Sequence, residues 1–485
     1  MLPLLVTSMV SFISLPLFLR YLGTEMYALW GYVAVLSGMF GFADMGLGSA
    51  VGRYVGVALG RNDPAAMRGY WGTGNMIMLP FLALMSLVFA LLGAWLGPKW
   101  FNVLPENALL LRWCFVAGGL GLFFGYYGAY WLVISQAFLD FKFISATRIV
   151  MTLLQIIPGV MLAWLTRNPL FVTAWGTLVL LLQLVVLVWH ARRKYDVGFQ
   201  FQEASLMHAR EMATYTGKNL IVLVVGSFFV SIDRVMLGRF APAQSFSPYV
   251  FSSNVATRLQ GLSSSVMAPV MFNTTRVVED ARTAAARIYN ETFGFVFEWY
   301  LLAAIWLGVW HPVLLRLWLT HTMGARLGME TAAQVGPLLV PLVAAGCLGA
   351  MANISTAQLA SLNRLGVTII CTAAAGGLAV AGVWIGWNTF GVVGVAYGFL
   401  FSRIALVAQD LFAIHLLKAG GWLDIRTWWM VAAQGLVGGI FALIYLFLPG
   451  DSLWLLVPAA LHAGLVGGWL LRGPLTRLLK TSNWR

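Results

Sequence analysis

Charge is what this sequence has least of. Only 10% of its 485 residues are Asp, Glu, Lys or Arg, against 60% hydrophobic residues and a mean hydropathy of +0.83. No soluble core needs that much apolar sequence. Cysteine is as scarce: Cys114, Cys347 and Cys371 lie in or beside apolar runs, which excludes a disulfide framework and offers no zinc spacing. The six histidines are scattered without metal-ligand spacing, and no Gly-x-Ser-x-Gly, phosphate-loop or His-Glu-x-x-His string occurs. Hydrolysis and nucleotide use lose their usual signatures, so no catalytic residue and no metal site is assigned. The first apolar run has no basic leader and no small-residue cleavage site, and it reads as a retained helix rather than a signal peptide.

What is there instead is a succession of apolar runs of about 20 residues, each long enough at ~1.5 Å per residue to cross ~30 Å of hydrocarbon. Fourteen are read, at about 2–20, 27–52, 72–97, 108–135, 146–166, 170–190, 214–238, 248–272, 290–316, 335–360, 367–386, 393–417, 427–447 and 452–471. The fold class expected is an all-α polytopic membrane protein with about 14 transmembrane helices. The net charge of +13 would suggest a nucleic-acid partner in a soluble protein. Here the charges sort by membrane side. With the N-terminus inside, 20 of the 30 basic residues lie at or near cytoplasmic connections and 8 on the other side, with Arg258 and Arg403 inside spans. That bias follows the positive-inside rule and supports an even number of spans with both termini cytoplasmic.

The longest polar connection, HARRKYDVGFQFQEASLMHAREM at 190–212, follows the sixth run. It divides the chain into an N-terminal lobe at 1–190, a cytoplasmic linker at 191–213, a C-terminal lobe at 214–417, and an accessory pair of spans with a cytoplasmic tail at 418–485. A short internal echo accompanies the division: LRYLGTEMYALWGYV at 19–33 and LGRFAPAQSFSPYVF at 237–251 each carry a basic residue, a polar turn and an aromatic start to the next helix. Such an echo matches the repeated layout of many transporters.

Charges inside a span cost at least ~2.5–3.5 kcal/mol each at the bilayer centre, so those present face a cavity or a partner. The set is Asp44, Asp233 with Arg234, Arg258, Glu298, Arg403 and Asp410, with Lys218 and Arg20 nearer span ends and the amides Asn219, Asn254, Asn353 and Gln358 beside them. On one continuous helix Asp44 and Arg53 point about 180° apart and cannot pair. Gly48, Gly52, Gly56 and Gly60 follow Asp44 at intervals of four, a ridge of small residues that lets a neighbouring helix approach. Asp44 heads that ridge either as a satisfied helix contact or as a coupling acid. Arg403 and Asp410, seven apart, share a helix face, unless Asp410 sits at the cytoplasmic interface. Arg258, ten residues into its span, is the deepest cation, lining a cavity or snorkelling. Glu298 has the position of a proton-coupling carboxylate, and Asp233 with Arg234 reads first as a local ion pair. Aromatic groups such as GYYGAYW at 125–131 read as interface anchors.

An integral glycosyltransferase or sugar-chain polymerase would want an acid in a sizeable outer loop. The longest outer connection, at about 317–334, holds one, Glu330. Transport is the better inference. LPLFLRYLGTEMYALWGYV (15–33), FADMGLGSAVGRYVG (42–56) and SIDRVMLGRFAPAQSFSPYVF (231–251) resemble the polysaccharide-export, O-antigen flippase branch of the multidrug/oligosaccharidyl-lipid/polysaccharide flippase superfamily. The family's Arg-x-Leu-Gly turn falls on Arg20 to Gly23, its Asp-x-Gly-Leu motif on Asp44 to Leu47 and its span-seven Asp on Asp233, with Ala28 where Gly is usual.

The resemblance implies two six-helix lobes around a central V-shaped cavity, with helices thirteen and fourteen outside. It also implies movement of an undecaprenyl-pyrophosphate-linked glycan from the inner to the outer leaflet of the bacterial inner membrane by alternating access. An anionic pyrophosphate calls for cations. Arg258, Arg403, Lys218, Arg53 and Arg20 are the candidates for binding it, with Asp44, Asp233, Glu298 and Asp410 as coupling or structural acids. No cofactor is expected, and a proton or Na+ is the candidate coupling ion. Expected partners are membrane lipids, the lipid-linked glycan and polysaccharide polymerase or export proteins. The alternatives within the superfamily are a lipid II flippase and a cation-coupled multidrug antiporter.

Overall fold

The structure is a computed structural model that describes residues 2–44, 46–277, 282–362 and 364–417, with 429, 432–437, 440 and 461–462 beyond them. The expected thirteenth and fourteenth spans fall almost wholly outside the described residues. Among those described, the chain is helical without strands, and eight helical stretches are long and apolar enough to cross a membrane. The helices are α1 (Leu2–Met39), α2 (Leu47–Gly60), α3 (Pro64–Trp100), α4 (Ala108–Ala137), α5 (Phe141–Thr166), α6 (Pro169–Tyr195), α7 (Leu206–Val230), α8 (Ile232–Phe240), α9 (Ala243–Val277), α10 (Arg282–Met323), α11 (Ala325–Ser361), α12 (Leu365–Ser402) and α13 (Ile404–Leu417). They fall into two compact units, Met1–Val250 and Phe251–Arg485, with the boundary inside α9.

Local chemistry sets the helix ends. Asp63, Asn168 and Ser205 stand at N-caps, their side chains accepting from the backbone N–H groups of Ala66, Leu170 and Met207, while Pro64 and Pro169 occupy first helical positions, where proline loses nothing. Two helices conceal a break. α1 turns at Gly23, whose φ of 75° only glycine adopts cheaply, and its halves correspond to the first span and the start of the second. α12 turns at Gly391 (φ 61°). Its two arms run back against each other so closely that a Cβ on Gly386 would lie 2.1 Å from the Gly394 carbonyl oxygen. Small residues at such crossings allow the backbone approach on which helix association in lipid depends.

In the first unit, α4 packs against α3 and α6, and α1 packs against α5. Its interior is aromatic: Trp71 stacks on Tyr130 at 4.6 Å and meets Trp131 edge-on at 5.1 Å. The polar stretch after α6 is pinned to α3, with Trp71 Nε1 donating to the Gly198 carbonyl and the Ser205 N–H donating to Thr73 Oγ1. The two echoing segments pack on each other. Tyr32 and Phe246 rings lie 4.4 Å apart, and Ser247 Oγ donates to the Thr24 carbonyl over 2.6 Å.

The glycine ridge behaves differently from the expectation. α1 ends at Met39, Phe40–Asp44 forms a short 3-10 segment, and Gly46 in the left-handed region starts α2 afresh. Asp44 is therefore not in phase with the glycines of α2. Gly52 meets Val133, but Gly56 and Gly60 face open space. In the second unit α11 is the central element, packed against α10, α12 and α13.

Candidate functional site

A carboxylate sits in the interior of the second unit. Asp410 of α13 is 5% exposed and hydrogen-bonds to Ser355 of α11. The Ser355 hydroxyl is in turn 2.8 Å from the Tyr289 hydroxyl of α10. With Ser355 donating to the carboxylate, Tyr289 donates to Ser355, a relay of two hydroxyls ending on Asp410. The other carboxylate oxygen, Oδ1, has no hydrogen-bond partner among the described residues. One residue earlier, buried Gln409 donates through Nε2 to the Ala352 carbonyl at 3.2 Å and to Thr356 Oγ1 at 3.0 Å, tying α13 to α11. Three helices thus enclose one ionisable group whose second oxygen is left for a proton or a small cation. A carboxylate in such surroundings is expensive to keep charged, which is why intramembrane acids mark functional sites by default.

Asp410 is buried among helices rather than exposed at their surface. Arg403 lies at the junction of two helices. α12 ends at Ser402 and α13 begins at Ile404, so Arg403 occupies the break, its guanidinium 4.1 Å from the centre of the Phe399 ring. Arg258 projects from α9 and is exposed, Glu298 on α10 is half-buried, and Arg53 and Arg20 are exposed in the first unit. The side chains of Lys218 and Asp44 lie outside the described residues. Asp233 is fully buried in the first turn of α8, accepting from the Tyr249 hydroxyl at 2.8 Å, with Arg234 Nε 3.8 Å away. The local pairing read from the sequence is present, and Tyr249, sixteen residues on, is a partner that no local pattern marks.

Sequence reasoning also missed Ser355, Tyr289 and Gln409. Hydroxyls in apolar helices are too common to stand out, but the Gln409–Asp410 pair, two polar residues deep in a span, was a usable signal. A further cluster lies outside the spans. Asp140, at the N-cap of α5, accepts from the Phe143 N–H, from Tyr195 Oη at 2.7 Å and from Lys194, with His190 Nε2 3.0 Å away. The hydrogen bonds from Lys194 and then Tyr195 hold its carboxyl well below the usual carboxylate range. This clasp fastens the α4–α5 turn to the end of α6 and has the character of a structural tie. Among the described residues no group of three or more His, Cys, Asp or Glu side chains is placed to hold a metal.

The profile of the polysaccharide biosynthesis proteins matches residues 1–274, more than half of the chain. The chain belongs to this family. No curated protein sequence matches it. Among solved structures it is similar to the lipid II flippase MurJ in an inward closed conformation, with 14% identity, a TM-score of 0.68, and coverage of 96% of this chain and 99% of that one. An inward-facing multidrug-resistance MATE transporter of the MOP superfamily follows at 15% identity, TM-score 0.63, and coverage of 85% and 95%. A MOP-superfamily transporter from Pyrococcus furiosus has 12% identity, TM-score 0.61, and coverage of 86% and 94%. At these identities the likeness concerns fold alone. This member of the polysaccharide biosynthesis family has the all-α architecture of MOP transporters and flippases and is a multi-pass membrane protein.

Proposed function

We propose that this chain is a flippase that carries undecaprenyl-pyrophosphate-linked oligosaccharide from the inner to the outer leaflet of the bacterial cytoplasmic membrane, by alternating access, for surface polysaccharide assembly. The observation that carries this reading is the family match over residues 1–274, joined to a fold of MOP flippases and transporters. Two lobes, at 1–190 and 214–417, would enclose the substrate path, with both termini cytoplasmic and the accessory pair at 418–485 outside it.

The load is an anionic pyrophosphate bearing a polar glycan, and a cation on its path lowers the cost of drawing it past hydrocarbon. Arg258 is the residue for this role: it is exposed on α9 in a protein whose surroundings are lipid, and its planar guanidinium matches the oxygens of a pyrophosphate. Arg403, Lys218, Arg53 and Arg20 supply further positive charge along the way. Asp410 is the acid through which a proton or Na+ would couple to movement, whereas Asp233, held by Tyr249 and with Arg234 Nε 3.8 Å away, is structural. Asp44 and Glu298 remain second candidates for coupling.

The test is a reconstituted assay with purified protein and a fluorescent lipid-linked oligosaccharide, paired with surface glycan in a deletion strain carrying Arg258→Ala or Arg258→Lys at matched protein level. Loss of both readouts in the Ala variant with partial rescue by Lys is expected. Full activity of the Ala variant would remove Arg258 from the path. A second reading, a lipid II flippase, rests on the MurJ-like fold over 96% of the chain. Restoring growth to cells depleted of their own lipid II flippase would select it.

A further inference from the structure

Five polar side chains line a cavity of about 110 Å³ in the first unit, at the end where the Gly23 turn of α1, the α3–α4 connection and the α8–α9 turn come together. One wall is a single face of α1, Glu25, Ala28, Leu29 and Tyr32, at helical spacings of three and four. The others are the 102–107 connection and the turn at 242–244. The frame is fixed. The Asn102 N–H donates to the Gly238 carbonyl, and Tyr32 is stacked on Phe101 at 4.2 Å on one side and packed on Phe246 at 4.4 Å on the other. The Tyr32 ring cannot leave, yet its hydroxyl, in a residue only 1% exposed, has no hydrogen-bond partner among the described residues. A buried hydroxyl left unmade costs free energy that a ligand group would recover.

The chemistry of the lining selects the ligand. Around the cavity stand one carboxylate (Glu25), three amides (Asn102, Asn107 and Gln244) and one phenol, with apolar surface from Ala28, Leu29, Val103, Leu104 and Pro242. No cation lines it, so a phosphate or an acidic sugar would meet Glu25 and be repelled. A divalent metal wants several anionic oxygens, and only one side chain offers them. Amides present donor and acceptor together, and a carboxylate accepts from adjacent hydroxyls, which suits a polyol. The apolar patches suit the C–H face of a sugar ring. The volume, roughly that of three to four waters, admits one ring edge and not an oligosaccharide.

We infer that this cavity is a binding site for one uncharged sugar residue on the face that the charge bias assigns to the outside. On the proposed function, on which the choice of a glycan ligand rests, this is the side where the headgroup emerges. A sugar held there bridges α1 and the α8–α9 turn, the two echoing segments of the chain.

The experiment uses the full chain in nanodiscs and saturation-transfer NMR with a panel of methyl glycosides, comprising neutral hexosides, an N-acetylhexosaminide and a uronate. At least one neutral glycoside should bind, Glu25→Gln should weaken it about tenfold, as expected for losing a hydrogen bond to a charged group, and Tyr32→Phe should weaken it about threefold. Both variants should keep the wild-type melting temperature without sugar. Absence of signal from every neutral glycoside, preference for the uronate, or undiminished binding in the Glu25→Gln, Asn107→Ala double variant would overturn the site. The flipping assay is read separately: a protein that binds glycoside but moves no lipid-linked glycan overturns the function and leaves the site, and the converse result overturns only the site.

Discussion

The two units hold their buried acids differently. In the first, the ties lie near helix ends: Asp140 with Lys194 and Tyr195, Arg68 with Asp196, Tyr70 with Glu211, and the Asn102 N–H on Gly238. Its interior is aromatic, with neutral contacts such as Tyr127 on Asn75, and its buried acid Asp233 sits in the first turn of α8 with Tyr249 and Arg234 beside it. In the second unit an acid, Asp410, lies between helices with Ser355 and Tyr289, and the neighbouring Gln409 clamps α13 to α11. Polar groups near helix ends can be solvated when a tie breaks, whereas a group between apolar helices has only its partners. The first arrangement holds a scaffold together. The second keeps an ionisable group where changing its charge state must change the packing around it.

Four substitutions test that contrast, in descending order of effect. Gly386→Val drives a side chain into the Gly394 backbone, so loss of the folded second unit is expected, beyond the ~1–3 kcal/mol of ordinary overpacking, and is measured as loss of monodisperse protein in detergent. Asp410→Asn should reduce transport at least tenfold while leaving the thermal melt near wild type, since the amide can keep the Ser355 contact. Wild-type transport by this variant would make Asp410 a structural hydrogen bonder and erase the contrast.

Asp140→Ala should lower stability by about 1–2 kcal/mol through loss of the cap and its hydrogen bonds, with transport retained at permissive temperature. Because the folded-state carboxyl is depressed, this contribution is fully present above the usual carboxylate range near ~4 and fades as pH falls through the lower folded value. Unfolding curves of wild type and variant should therefore converge in acid. Smallest, Arg326→Ala removes an exposed pair with Glu330 one turn away and should cost no more than ~0.5 kcal/mol.

Much of the fold was legible because hydropathy is a local sum. The runs read at 367–386 and 393–417 correspond to the first arm of α12 and to its second arm continued into α13, and the bend between them falls at Gly391. The site was less legible. Asp410 and Arg403 were visible as misplaced charges, yet neither Ser355 nor Tyr289 carries any mark of its neighbour. The α2 glycines looked like a contact ridge headed by Asp44, but Gly46 restarts the helix between them.

The sequence by itself determined that this is a multi-span chain, where most of its helices run, and which superfamily its strings at 15–33 and 231–251 resemble. Tertiary structure decided that those two strings pack on each other, that Tyr32 is locked beside a cavity with its hydroxyl unmade, and that Asp410 is enclosed by three helices. The physical reason is that membrane insertion is scored segment by segment, whereas the partner of a side chain depends on the rotation, breaks and crossings of helices far apart in the chain.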